Sequence, residues 1–310
     1  MDNFRPVCFE EREKIYSLLS TFAKIDNGYI NEFAEMSKEE FLSKGIQLLL
    51  DWSNGKNLYE NFVPTTFYFL YDNDNNIVGV YKLRHYLNDH YRKGPGHISY
   101  AIKKDYRKKG YAKLGLHLAI KVLDKILPEE EKLIKVCCSR KNYGSFLTIQ
   151  GNIPLITKES EPEFKGKKIE VCENFIDRRN RIVIKTLNEK DIISINNDEY
   201  LKDNIKKNDI IIFGAFYNND TLIGYISLQK INENYVIKNI KIIDNKDNLM
   251  YGLFNYSYAV ARVNKIKNIL IDENKYELLK KDFPINEKYD CKILDDKSIQ
   301  INVKQLHKIE

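Results

Sequence analysis

The chain has 310 residues, 43% of them hydrophobic and 30% charged, a length and balance that suit about two soluble domains with cores of their own. Its 50 Lys and Arg against 44 Asp and Glu leave a formal charge of +6, which suits small acidic ligands. The basic residues are scattered among acids, so no nucleic-acid partner is expected, and with no apolar run long enough for a bilayer no membrane partner is expected either.

In chain order, residues 1–60 are patterned for helix. Glu10 to Ala23 carries Ile15, Leu18, Leu19 and Phe22 at helical spacing, and Phe41 to Trp52 carries Ile46, Leu49 and Leu50. Ser37 stands three residues before Glu40, the spacing of a capping box. Thr66 to Tyr71 and Ile77 to Leu83 predict two strands around the polar turn Asp72 to Asn76, a β-hairpin. After Arg84, His85 and a polar loop ending at Gly96, the run His97 to Ile102 predicts another strand. A basic turn follows, closed by Gly110, and then Tyr111 to Ile126 places Leu114, Leu118, Val122, Leu123 and Ile126 on one helical stripe. Leu133 to Cys138 predicts a fifth strand and Asn142 to Gln150 a short helix. Ile153 to Ile156 and Ile169 to Phe175 then predict two closing strands. The five cysteines, Cys8, Cys137, Cys138, Cys172 and Cys291, show no metal-ligand or disulfide-framework spacing, so no metal is expected. The opening M-D-N-F-R-P lacks a basic region followed by an apolar one, and the expected location is cytoplasmic.

Strand, basic turn, helix is an arrangement that binds phosphate. The first N–H groups of a helix have no partner inside it, and the helix dipole favours an anion at that end. Gly110 lets backbone approach a ligand, and Arg107, Lys108 and Lys109 add positive charge at the same place. A pyrophosphate is the natural guest.

The spacing Ile102, Arg107, Gly110, Ala112 resembles V-x-P-x-x-[RQ]-x-x-G-x-[GA], the acyl-CoA loop of the GNAT N-acetyltransferase superfamily, with Lys104 where the family often has Pro. The element order over about residues 5–180 is also the GNAT order. The stretches V-P-T-T-F-Y-F-L at 63–70, L-R-H-Y-L-N at 83–88 and G-H-I-S-Y-A-I at 96–102 resemble a group of predicted bacterial acetyltransferases. The resemblance implies that strands four and five part after Ala101 and Ile102, where a backbone N–H polarises the thioester of acetyl-CoA. It implies further that Arg107, Lys108, Lys109, Gly110, Tyr111 and Ala112 hold the pyrophosphate. Asn142 and Ser145 match the family's later motif and are expected at the pantetheine arm, whereas Ile149 occupies the place of its usual tyrosine acid. For the base, His97 and His85 are the candidates by their neutral-range titration. His97 reads equally as a hydrogen-bonded strand residue, and His85 reads first as an organiser of its loop. His117 and His307 are assigned no catalytic part. The implied function is transfer of an acetyl group to a primary amine of a small molecule by direct attack in a ternary complex. The alternative is a non-catalytic acyl-CoA-binding or sensing protein.

The second half repeats the first. F-Y-N-N-D-T-L-I-G at 216–224 aligns without a gap on Y-D-N-D-N-N-I-V-G at 71–79. Tyr235 to Ile243, Leu253 to Val263 and Lys267 to Ile271 then mirror the fourth strand, long helix and fifth strand. The expected fold is α/β (α+β): two tandem GNAT-like units over 1–180 and 181–310, each a mixed, mostly antiparallel sheet flanked by helices. In the second, Asp247 replaces the loop arginine and Met250 the glycine, so that unit is expected to be degenerate and unable to bind acyl-CoA.

Overall fold

The computed structural model describes residues 3–164, 167–193, 198–295 and 298–304, and His307 lies outside them. By contact the chain falls into two compact units. One holds the residues up to Ile149 together with Pro154–Asn180, and the other holds Gln150–Ile153 and the residues from Arg181 onward.

The alternating and continuous apolar runs of the first unit assemble one seven-stranded sheet. Its strands are β1 (Phe4–Pro6), β2 (Thr65–Tyr71), β3 (Ile77–Arg84), β4 (Ile98–Ile102), β5 (Leu133–Ser139), β6 (Pro154–Ser160) and β7 (Val171–Asp177). They lie in the order β1-β2-β3-β4-β5-β7-β6, antiparallel throughout except between β4 and β5. Its helices include α1 (Arg12–Leu19), α2 (Ile46–Ser53), α3 (Tyr111–Ile126) and α4 (Tyr143–Gln150).

Every residue of β3 is buried, as befits a strand covered on both faces. On one face Ile15, Leu18 and Leu19 of α1 and Ile46, Leu49 and Trp52 of α2 share a core with Phe67, Phe69 and Val80. On the other face α3 lies against Tyr81, and a Cβ at Gly115 would stand 2.1 Å from the Tyr81 hydroxyl. Only glycine admits that approach. Tyr81 uses it, its hydroxyl reaching the carbonyls of Tyr111 and Ala112 at 3.3 and 3.2 Å.

The first helix is shorter than its apolar stripe predicts, whereas the second runs unbroken from Lys38 through a π-helical turn, Phe41–Gly45, into α2. Ser37 caps its start, its hydroxyl accepting the Glu40 N–H at 3.1 Å. Two elements carry no periodic signal: the edge strand β1, which contains Pro6, and a small hairpin of Ile25–Asp26 with Tyr29–Ile30.

The second unit has β8 (Ile182–Thr186), β9 (Ile210–Tyr217), β10 (Thr221–Ile231), β11 (Asn234–Ile242), β12 (Asn268–Ile271), β13 (Cys291–Ile293) and β14 (Ile299–Asn302). Their order, β8-β9-β10-β11-β12-β14-β13, matches the first sheet strand for strand, and β11–β12 is again the parallel pair. Its helices include α5 (Glu199–Asn204), α6 (Leu249–Val263) and α7 (Glu273–Asp282). Both sheets are mixed and mostly antiparallel with flanking helices, the fold class that the sequence pattern predicts. Among the described residues no helix is long and apolar enough to cross a membrane.

Candidate functional site

The strands β4 and β5 meet in one register pair, Ile98 with Val136, and then part. The gap therefore opens at Ser99, ahead of Ala101 and Ile102, where the resemblance places it. The Arg84 N–H bonds to the His97 carbonyl and the Lys103 N–H to the Val78 carbonyl, so the odd-numbered residues between them turn their backbone groups to β3. Tyr100 and Ile102 thereby face the gap. Ala101 does not: its N–H belongs to the β3 side and its side chain to the core beside Val80. The expectation that Ala101 offers a donor to a thioester is corrected to its two neighbours.

At the far end of β4 the chain makes a short turn, Lys104–Tyr106, and enters α3 through Lys108 at φ 62° and Gly110 at φ 87°. Those left-handed positions turn successive N–H groups outward. From Lys108 to Ala112, five in a row, none has an acceptor among the described residues. They stand at the positive end of a 16-residue helix, the arrangement that holds phosphate groups. A Cβ at Gly110 would meet nothing within 4 Å, so the space above the donors is open. Lys108 and Lys109 are exposed, and Lys109 lies 5.3 Å from the Tyr106 ring.

Arg107 behaves differently from its lysine neighbours. Its N–H bonds to the Lys104 carbonyl, its Nε donates to the Ile102 carbonyl at 2.9 Å, and its Nη2 pairs with Asp26 at 2.6 Å. It locks the turn and is not free for a ligand, a correction to its expected role. A cleft of about 570 Å³ lies between this turn and the hairpin, with Phe22, Ile25, Asp26 and Lys104 in its walls.

Across the gap, Asn142 caps α4 by accepting the Ser145 N–H at 3.0 Å and donates its Nδ2 to the Asn27 carbonyl at 3.1 Å. The hairpin Ile25–Ile30 is therefore tied to both lips, to Arg107 by Asp26 and to Asn142 by Asn27. Its turn, Asn27 at φ 50° and Gly28 at φ 91°, is the Asn-Gly signature of a tight hairpin, a signal that could have revealed it. Tyr100 stacks on Tyr81 with ring centroids 5.4 Å apart, and its hydroxyl meets Ser145 Oγ at 2.8 Å. Burial holds that phenol protonated. Ile149, in the place of the family's tyrosine, is buried in the core.

Neither histidine is brought to the gap as a base. His97 sits at the closed end, fully buried, its Nδ1 accepting the Lys135 N–H at 2.9 Å. That bond leaves its proton on Nε2, 3.5 Å from Glu131. Burial, helped by the cations Arg84, Arg92 and Lys135, pushes its pKa down to about 3. A group so depressed does not strip ammonium ions near neutrality. His85 lies beside β2 with Nε2 2.9 Å from Thr66 Oγ1, strands away from the gap, and burial lowers its pKa too.

On the α1–α2 face of β3 and β4 stands a polar group that the sequence reading passed over. Lys82, 3% exposed, donates to the Ile30 carbonyl at 2.5 Å and to Glu32 at 2.6 Å. Burial pushes its pKa down to about 8 against the pull of Glu32. Arg84 bonds to the Gly96 carbonyl at 2.8 Å and to Ser99 Oγ at 3.2 Å. A lysine and an arginine within an otherwise apolar strand, I-V-G-V-Y-K-L-R, were the available signal.

A gap between two parallel strands, leading to a donor-lined helix start, offers room for an extended ligand that ends in phosphate. Residues 27–145 match the family model described as acetyltransferase (GNAT) family. No curated protein matches the chain. Solved structures similar to it include spermidine N-acetyltransferase from Vibrio cholerae in complex with CoA and spermine, at 14% identity over 57% of this chain and 95% of that one, TM-score 0.38. PaiA N-acetyltransferase from Thermoplasma acidophilum in complex with coenzyme A is similar at 15% identity over 40% and 98%, TM-score 0.27. Ribosomal-protein-S5-alanine acetyltransferase from Vibrio fischeri is similar at 14% identity over 57% and 93%, TM-score 0.41.

Proposed function

We propose that the first unit is an N-acetyltransferase that takes the acetyl group of acetyl-CoA to a primary amine of a small molecule, by direct attack in a ternary complex. The observation that carries the reading is the run of five unbonded N–H groups from Lys108 to Ala112 at the open start of α3. A pyrophosphate satisfies them, with Lys108 and Lys109 adding charge. When bound, acetyl-CoA supplies an activated acyl group on a thioester. The chain's own part is to hold and orient. Tyr100 or Ile102 presents a backbone N–H into the gap, where a developing oxyanion needs a donor. Alignment of the two reactants supplies most of the remaining rate. With His97 and His85 withdrawn, the amine enters unprotonated from solvent. The value of kcat/KM should then rise tenfold per pH unit toward the amine's own pKa, with no inflection near 6.5.

A second reading has its own support. Ile149 in place of the tyrosine acid and the locked His97 both suit an acyl-CoA-binding protein that does no chemistry. Thiol release from acetyl-CoA with a panel of amines separates the two.

Calorimetric titration with acetyl-CoA tests the shared foundation. The parent should bind one equivalent, and Gly110→Trp, which fills the open space above the donors, should lose at least a hundredfold in affinity. Normal binding by the variant would place the site elsewhere. No binding by the parent would remove the acetyltransferase reading.

A further inference from the structure

We infer that the acceptor amine carries a carboxylate and that Arg84 is the residue that recognises it. The inference rests on the acetyl-transfer reading above and names its substrate class.

The argument is one of unmatched charge. Around the gap each carboxylate has its own cation: Asp26 with Arg107 at 2.6 Å, Glu32 with Lys82 at 2.6 Å, Glu173 with Lys135 at 2.8 Å and Glu131 with Arg92 at 3.3 Å. Arg84 is left over. No carboxylate among the described residues lies within 4.0 Å of it. Its guanidinium donates to the neutral oxygens of Gly96 and Ser99 and meets the Tyr91 side chain, and its Nε has no acceptor. It is 6% exposed and packed on the Tyr91 ring at 4.2 Å. A guanidinium taken out of water without a counter-charge is costly, and an unused buried N–H adds to that.

Its place is what turns this cost into recognition. Ser99 is the first residue beyond the last β4–β5 pair, so the Arg84 fork lies at the root of the gap on the α1–α2 face. A second unpaired donor belongs to the same group of side chains. The Tyr29 hydroxyl is buried with no partner, and its ring lies 4.6 Å from Lys82 Nζ. Two donors that lack acceptors ask for a ligand rich in acceptors. A carboxylate answers both needs and matches the planar fork. A polycationic amine would instead meet an uncompensated positive charge.

The test compares acetyl transfer by the full chain to glycine and glycinamide, to lysine and lysinamide, and to spermidine. The amides have the less basic amino groups and are intrinsically favoured, so a preference for the acids comes from recognition. We expect at least one acid to exceed its amide tenfold in kcat/KM. Arg84→Gln should bring that ratio within twofold while leaving acetyl-CoA affinity unchanged. If Arg84→Gln does not fold, Arg84→Lys, which keeps charge but loses the fork, should give an intermediate ratio. Preference for amides or spermidine, or a ratio that survives substitution, would overturn the inference. Calorimetry with acetyl-CoA reports separately on the transfer reading. Should that fail, thermal shift with the same pairs still decides on Arg84. Stabilisation by the acid alone, lost in Arg84→Gln, supports the inference, and equal or absent stabilisation refutes it.

Discussion

The long helices α3 and α6 follow corresponding strands in two sheets of identical strand order, yet their first turns are built oppositely. At α3 the five N–H groups from Lys108 to Ala112 are unbonded, and the residues of the first turn are half-buried around open space. At α6 the Leu249 N–H bonds to the Lys246 carbonyl. Leu249 and Met250 are each 1% exposed, and Gly252 fits so closely against Ile153 that a Cβ there would stand 2.4 Å from it. The parent strands differ as well, β11 and β12 pairing over three residues where β4 and β5 pair over one. A topology set by apolar periodicity survives such changes. An anion site does not, because it consists of backbone that nothing else may touch.

The largest effect should come from placing a charge in the open turn. Ala112→Asp puts a carboxylate among the free N–H groups, where it stabilises the helix start and repels a pyrophosphate. We expect acetyl-CoA affinity to fall about a hundredfold with no loss of thermal stability. Affinity within threefold of the parent would mean that these donors are not the site.

The two strand starts offer a second contrast. Just before β4 stands His97, whereas the second residue of β11 is buried Tyr235, whose hydroxyl accepts a bond from Asn264. Only the imidazole titrates in the acid range. Its pKa of about 3 lies below the unfolded value of about 6.5, so between them the unfolded state binds the extra proton. Stability from this group is full above pH 6.5 and is lost as pH falls toward 3. The slope reaches at most about 1.4 kcal/mol per pH unit. His97→Asn keeps an acceptor for the Lys135 N–H and should remove that increment from denaturation curves taken across the window. It should also leave kcat within threefold at pH 8, where loss of a true base costs about a hundredfold or more.

How far the sequence was legible follows from the kind of signal each part left. The stripe on Tyr111–Ile126 predicts α3 to the residue, and the hairpin of β2 and β3 is nearly as clear, because both bury a periodic face. The spacing from Ile102 to Ala112 marks the helix start for the same reason that the site exists: Gly110 at φ 87° leaves backbone uncovered. What the spacing does not carry is side-chain direction. Arg107 and Asn142 match their motif positions, yet each is turned to the hairpin, held by Asp26 and Asn27, residues more than 80 positions earlier in the chain. His97 looked suitable because an imidazole titrates near neutrality. That property belongs to the hydrated ring, and burial removes it. Arg84 stands out in sequence as a charge in an apolar strand, but its lack of a carboxylate partner is a three-dimensional fact.

A smaller loss should follow from the exposed charges. Lys108→Ala with Lys109→Ala leaves the backbone donors in place and removes only charge that solvent already screens. We expect acetyl-CoA affinity to weaken three- to tenfold at low ionic strength and less than twofold in 0.5 M salt. A loss as large as that of Ala112→Asp would shift the weight of binding from the backbone to the side chains.

The smallest effect is expected at α6, and it tests the comparison directly. Asp247→Lys reverses the charge just before that helix and makes its turn resemble the basic one of the first unit. If charge were what the second unit lacks, a second equivalent of acetyl-CoA should bind. The structure argues otherwise, since Leu249 and Met250 cover the first turn and the Leu249 N–H already has an acceptor. Calorimetry should therefore still report one equivalent, with affinity within twofold of the parent. A stoichiometry of two would show that α6 keeps a usable anion site under its side chains, and the contrast between the helix starts would reduce to a single charge.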